Sequence, residues 1–168
     1  VCNNNNLKLI LNLGDQPLCD DLIPINHEKS QSLFPIEILF CEICKTAHQK
    51  YQVSKHYLFP HNYHYRAKNT KDVLNGMHDL VNSCEEKIGS LNGLKVLDIG
   101  CNDGSLLKIF KLKNCEVFGI EPSDAAIEAQ EGAFVLQDYF DSSSAKKIKD
   151  KIGFPDIINF TNVFAHIE

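Results

Sequence analysis

The residues of this chain whose types and spacing could do chemistry fall in two places. The stretch VLDIGCNDGSLL, residues 96–107, sets the carboxylates Asp98 and Asp103 among Gly100, Asn102 and Gly104. Upstream, Cys41 and Cys44 form a C-x-x-C pair, and Cys2 stands near the beginning. The first group can cradle a ligand against the main chain, because glycine adopts positive φ and leaves no side chain in the way. The second can supply thiolates to one tetrahedral zinc ion.

Spacing and charge decide which ligand suits the turn. The dinucleotide fingerprint G-x-G-x-x-G would need glycines at 102 and 105, where Asn102 and Ser105 stand. The pattern acidic-x-G-x-G-x-G matches at Asp98, Gly100 and Gly104, with Asn102 in the middle position. Asn tolerates left-handed backbone better than most residues. A pyrophosphate would sit badly against Asp98 and Asp103, whereas the sulfonium and ammonium of S-adenosylmethionine (SAM) are cations that carboxylates stabilise. The turn therefore predicts a SAM site. Glu121, which closes the apolar run CEVFGI, can accept hydrogen bonds from both ribose hydroxyls of an adenosine. Asp138 and Tyr139 follow a third predicted strand, where an adenine amino group and ring face would be met.

The elements that must position these groups are legible from periodicity. Val96, Leu97 and Ile99 make a strand buried on both faces, and Leu106, Leu107 and Phe110 make a helix stripe. Before them, Thr70 can cap a helix whose apolar face runs from Val73 to Ile88 and which Gly89 stops. After them the pattern predicts a strand at 115–120, a helix from Ser123 to Gly132, and a strand at 134–136. A helix at 142–152 and a strand at 156–163 follow. Alternation of this kind predicts a parallel α/β sheet, Rossmann-like and incomplete at four strands, with Asn162 and His166 at its ligand end. Four strands are fewer than such a domain needs, so the 168 residues alone are expected not to catalyse.

Residues 7–40 combine short apolar runs with turn-rich segments and predict a small β-rich domain. The expected division is a zinc-binding domain over 1–60, a linker and helix over 61–90, and the first half of a SAM-binding domain over 91–168. One C-x-x-C is half a zinc site. The mate of Cys2 would fall at position 5, which is Asn5, or before residue 1. The spacing predicts a knuckle begun upstream, leaving Cys2, Cys41 and Cys44, with His48 available as a fourth ligand. The same thiols also fit buried small apolar residues, as Cys19, Cys84, Cys101 and Cys115 are read.

Between the two regions, residues 51–69 carry Tyr51, His56, Tyr57, Phe59, His61, Tyr63, His64 and Tyr65, then Arg66 and Lys68. This cluster reads either as the lining of a substrate pocket or as a linker packed by its rings. Arg66, the chain's only arginine, has the fork geometry that suits a diphosphate.

Composition narrows the class. A hydrophobic content of 43% over 168 residues excludes a disordered chain. The net charge of −5 argues against nucleic acid or an anionic membrane as main partner and leaves a small molecule. No apolar run approaches a membrane span and no charged-then-apolar leader opens the sequence, so a soluble, cytoplasmic protein is expected. Seven cysteines, an odd number, fit reduced thiols and metal ligands better than a disulfide framework. The oligomeric state is not encoded in any of these features.

Taken together, LGDQPLCDD, SLFPIEILFCEIC, YHYR with His78, VLDIGCNDGSLL, GIEPSDAA and NVFAHI resemble the sugar C-methyltransferases that carry an N-terminal zinc-binding domain. The resemblance covers nearly the whole chain and includes the Asn of the GCNDG turn. It implies a SAM-dependent transfer of methyl to a carbon beside the keto group of a nucleotide-linked deoxysugar, with further strands and a substrate domain beyond residue 168. It implies SAM contacts at Asp98, Gly100, Asn102, Gly104 and Glu121. Substrate-side roles fall on Asn162, His166 and a tyrosine of YHYR, Tyr63 or Tyr65. Lys45 stands where that family usually has Gly after its last ligand.

In such chemistry a base removes the proton beside the ketone, and the enolate oxygen needs a donor. His166 could be base or donor and the tyrosines donors; without the resemblance, a strand-end His reads as a solvent-facing or hydrogen-bonded structural residue. Two rival readings stand beside this one: a SAM methyltransferase for an oxygen, nitrogen or other small acceptor, and a non-enzymatic zinc-ribbon interaction module on a degenerate SAM-like domain.

Overall fold

The computed structural model describes residues 2–26 and 30–167. The chain divides into two compact units, Val1–Leu58 and Phe59–Glu168.

In the first unit, β1 (Lys8–Pro17), β2 (Leu33–Phe40) and β3 (Ala47–Gln49) form an antiparallel sheet in that order. β1 pairs β2 with two irregularities. The second falls beside Gly14, whose N–H donates to Asn12 Oδ1 at 2.8 Å from a backbone at φ +69°. β2 is the half-buried strand, and its end delivers Cys41 to a site only 1% exposed. A four-residue helix, α1 (Lys55–Leu58), closes the unit, with the Tyr57 ring 5.8 Å from that of Phe34. As expected, no long helix forms here among the described residues.

The second unit is a parallel sheet. β4 (Lys95–Ile99), β5 (Glu116–Ile120), β6 (Phe134–Leu136) and β7 (Ile157–Asn159) lie in the order β6-β5-β4-β7. This is the 3-2-1-4 order of doubly wound folds, in which ligands sit beyond the carboxyl ends where the order reverses. Here the reversal falls at β4, the strand that carries the glycine turn.

Strand alternation divides the core in two. Val96 and Val117 face Val81 of α2 (Lys71–Ile88) and Leu106, Leu107 and Phe110 of α3 (Ser105–Leu112). Leu97, Ile99 and Ile120 face Ile148 and Ile152 of α5 (Ser142–Ile152). Between β5 and β6 runs α4 (Ala125–Gln130). Residues 61–90 share this unit with the sheet, and Ala67 and Val81 are fully buried within it.

The helix ends follow the residues predicted for them, with one difference in mechanism. Thr70 occupies the N-cap of α2 but makes no side-chain cap bond, whereas Gly89 at φ +85° closes the helix on Glu85 O. α5 is capped by a reciprocal pair, Asp141 and Ser144. β7 is shorter than the 156–163 expected. Asn162 takes left-handed backbone at φ +58°, and a 3₁₀ turn at Phe164–His166 follows, so the extended run ends at Asn159.

Cys101 and Cys115 are buried as read and Cys84 is half-buried, but Cys19 is exposed and its thiol donates to Asp20. A neighbouring carboxylate, absent from the apolar setting expected, accounts for that placement. Cys101 has a defined packing task. A Cβ at Gly119 would lie 2.5 Å from its Sγ and 3.1 Å from Leu107 Cδ1, so the sulfur fills the space of the missing side chain. Gly119→Ala is therefore expected to lower unfolding free energy by about 1–3 kcal/mol. Denaturant titration checks this, and a neutral result would mean the sheet can shift to admit a methyl group.

Candidate functional site

The turn after β4 is built by three left-handed residues, Gly100 (φ +73°), Asn102 (φ +49°) and Gly104 (φ +76°). Gly100 N–H and Cys101 N–H both donate to Ile120 O, and Gly104 N–H donates to Cys101 O. Glycine is required at 100 and 104 by close approach as well as by φ. A Cβ at 100 would lie 2.4 Å from Val163 Cγ2, and one at 104 would lie 2.9 Å from Ala129 Cβ.

Asn102, in the place of a glycine, uses its side chain as a clamp. Oδ1 accepts from Ala67 N–H at 2.9 Å and Nδ2 donates to Tyr65 O at 3.1 Å. Asp103 is fully buried and accepts from Lys68 N–H, Ser105 N–H and Ser105 Oγ–H. Its charge is thus directed at α3 and at segment 59–68.

Glu121 is buried, with Oε2 accepting from Asn102 N–H at 3.0 Å and Oε1 accepting from Ser123 N–H and Oγ–H. Asp98 is 3% exposed and, among the described residues, receives no side-chain hydrogen bond. Burial, with the nearby Glu121 charge in second place, pushes its carboxyl up to about 8.

The segment 59–68 lies over the carboxyl ends of β4, β5 and β6. Phe59 O accepts from Tyr139 Oη–H at 2.7 Å, and His61 O accepts from Asp124 N–H at 2.7 Å. His61 Nδ1 lies 2.6 Å from Asp124 Oδ1, and its Nε2 lies 3.1 Å from Gln137 Nε2. Arg66 Nε donates to Glu128 Oε1 at 2.7 Å, while one terminal nitrogen donates to Tyr63 O and Tyr65 O. Lys68 pairs with the same glutamate.

This corrects the diphosphate reading of Arg66. Its guanidinium is only 17% exposed and is spent on holding the segment's own carbonyls to α4. It also shows how the aromatic cluster is organised: the backbone is pinned and the rings gather. Phe59 lies edge-on to Tyr63 (5.6 Å between centroids) and to His166 (5.0 Å), and Tyr63 lies 6.4 Å from Tyr65.

The structure thus brings Tyr63 and His166 to one ring cluster, with Tyr65 beside it and half-exposed. Asn162 is exposed in the following turn. Asp138 accepts from Lys147 Nζ at 3.0 Å and from Tyr139 N–H, at the edge of the sheet rather than against the turn. Segment 59–68 as a clamp was not foreseen. The available signal was Asn102 itself, since an amide in a glycine's place needs partners for a donor and an acceptor.

In the first unit, the sulfurs of Cys2, Cys41 and Cys44 lie within 4.8 Å of one another, with Cys2 and Cys41 3.6 Å apart. Tetrahedral zinc with bonds of about 2.3 Å separates its sulfurs by roughly 3.8 Å, so this donor set fits the ion. Asn4 Nδ2 donates to Cys41 Sγ at 3.3 Å, and that bond, followed by the Cys44 backbone, lowers the Cys41 thiol to about 6. Lys45 takes φ +57°, which is why a glycine is favoured at that position. His48 is corrected. It lies in β3 opposite Leu39 and does not join the thiol cluster.

Residues 55–168 match the model of a methyltransferase domain family, and residues 1–59 match that of a zinc binding domain. A curated relative, the C-methyltransferase NovU of Streptomyces niveus, is 25% identical over an alignment of 170 residues that covers 99% of this chain and 40% of the relative. The chain thus spans about 40% of that relative's length. Magnesium protoporphyrin IX methyltransferase (ChlM) from Synechocystis PCC 6803, solved with bound SAM, is 23% identical. It aligns over 40% of this chain and 39% of its own with a TM-score of 0.35. The same enzyme with bound SAH is 21% identical, with a TM-score of 0.29 over 54% of this chain and 33% of its own.

Metal analysis of the full-length protein is expected to give one zinc per chain, and the Cys41→Ser, Cys44→Ser double variant is expected to lose it. Stoichiometric zinc in the double variant would sink the assignment.

Proposed function

The chain belongs to the methyltransferase domain family, and on that premise we propose that it is part of a SAM-dependent C-methyltransferase acting on a nucleotide-linked keto-deoxysugar, with zinc held by its N-terminal unit. The observation that carries the cofactor reading is Asp98, a buried carboxyl with no donor from the described chain at the end of the strand that bears the left-handed turn. A cation over that turn would be stabilised by its ionised form, and SAM carries two. The carbon acceptor is supported by the named activity of the curated relative together with the ring cluster of Tyr63, Tyr65 and His166.

SAM supplies the methyl group when bound. Toward it, Asp98 gives up its proton and faces the cationic groups. Glu121, whose oxygens each accept from the chain already, offers its remaining lone pairs to the ribose hydroxyls. Gly100 and Gly104 let Val163 and Ala129 pack directly on the turn, and Asn102 holds the turn in shape through Tyr65 O and Ala67 N–H. On the substrate side, His166 takes the proton beside the ketone or donates to the enolate oxygen, and Tyr63 or Tyr65 supplies a second donor. Asn162 lies in the turn that leads to His166 and contributes a polar contact, and Asp138 meets the adenine end. The protein acts on a small molecule in the cytoplasm, without nucleic acid or membrane.

Incubation of full-length protein with SAM and a panel of nucleotide ketosugars is expected to give a sugar heavier by one methyl group, with the label on carbon. Methyl transfer confined to oxygen or nitrogen acceptors would replace the sugar reading. In the same assay His166→Ala is expected to lower kcat by about 10²–10⁴-fold while leaving SAM affinity nearly unchanged. Wild-type turnover would assign His166 a structural role.

Asp98 also makes a pH statement. Its folded value of about 8 lies above the usual 3.8, so the unliganded fold keeps the proton that the unfolded chain has lost. Stability of the unliganded protein should therefore fall as pH rises from about 4 to about 8. A cationic ligand expels that proton, so calorimetry near pH 7 in buffers of different ionisation enthalpy should register proton release on SAM binding. Binding without proton release would remove Asp98 from the site.

A further inference from the structure

The carboxyl end of β7 holds an unexplained group. Asn159 is 8% exposed, and its Nδ2 is fully buried without a hydrogen-bond partner among the described residues. A buried donor left unpaired destabilises a fold, so its presence calls for an acceptor that arrives from outside.

Asn159 stands beside Asp98. The parallel register pairs Val96 with Ile157 and Asp98 with Asn159. Val96 and Ile157 belong to the same core cluster, so two residues further along, Asp98 and Asn159 share that face of the sheet at its ligand end. On the other side Asp98 is paired with Gly119, which has no side chain, and the space there is filled by Cys101. Cys101 gives Asp98 no donor, since among the described residues its thiol makes a long bond to Asn102 O and its N–H donates to Ile120 O. Two neighbouring strand ends, about 4.8 Å apart, thus present a donor without an acceptor and a carboxyl without a donor. An α-amino acid carries the two missing partners on one carbon, a carboxylate and an ammonium.

Resting on the SAM reading above, we infer that Asn159 is a further cofactor-binding residue, whose Nδ2–H donates to the α-carboxylate of the cofactor while Asp98 faces its ammonium. The raised value of Asp98 agrees with a carboxyl that awaits a cation. The sequence places residue 159 only within a strand, because a polar residue within an apolar run carries no sign of what it faces.

The test compares SAM with decarboxylated SAM, which keeps the ammonium and the sulfonium but lacks the carboxylate, by calorimetry on the full-length protein. Asn159→Leu is expected to weaken SAM about ten- to hundredfold while leaving decarboxylated SAM unchanged. It is also expected to leave the unliganded protein at least as thermally stable, because an orphaned donor has been removed. Equal losses for both ligands, or no loss, would overturn the inference, as would a drop in stability with unchanged affinities. If Asn159→Leu does not fold, the ratio of the two affinities in Asn159→Ala gives the same decision. Wild-type protein that binds neither ligand would instead remove the cofactor reading itself, and this inference with it.

Discussion

Left-handed backbone at three alternate positions, 100, 102 and 104, is the constraint on which the second unit depends. It brings the chain from β4 into α3 within a few residues at the switch point of the sheet. Val163 and Ala129 then pack directly onto Gly100 and Gly104. The same tightness buries Asp98 and Glu121, and it is this burial first, and the Glu121 charge second, that raises Asp98. The turn's geometry and its electrostatics are therefore one property: a loose turn would hydrate the carboxyls and lose the preference for a cation.

Polar groups buried by this turn must be satisfied, and segment 59–68 is how that is done. Asn102 and Asp103 take backbone partners from Tyr65, Ala67 and Lys68, while Arg66 and Lys68 converge on Glu128. The backbone of Tyr65 is therefore tied directly to the cofactor turn, and that of Tyr63 to Arg66 in the same segment. A change at Asn102 should be felt at Tyr65 through its backbone carbonyl. Against this background of satisfied groups, the unpartnered amide of Asn159 and the donorless carboxyl of Asp98 stand out.

The zinc-binding unit follows a different logic. Every residue of β1 is exposed, so the sheet gains little from burial there, and the thiols of Cys2, Cys41 and Cys44 gather at the one end where β1 begins and β2 finishes. Small domains with thin cores commonly use a metal in this way, because binding free energy becomes folding free energy.

Much of this protein was determined by sequence alone. Periodicity fixed the alternating elements from Lys71 to Ile152 almost to the residue, because their apolar positions and glycine stops are local. Glycine spacing and the acidic residues gave the cofactor class, and C-x-x-C spacing gave the metal, because both rest on short-range geometry. Tertiary structure alone decided where the polar side chains spend their hydrogen bonds. Arg66 looked like an anion ligand and proved to be a clamp, because its partners lie on α4 and within its own segment. His48 had the right chemistry but sits in β3, apart from the thiols. Asn159 gained its meaning only when strand pairing set it beside Asp98. A sequence records which donors and acceptors a chain has, whereas long-range register decides which of them meet and which is left waiting for a ligand.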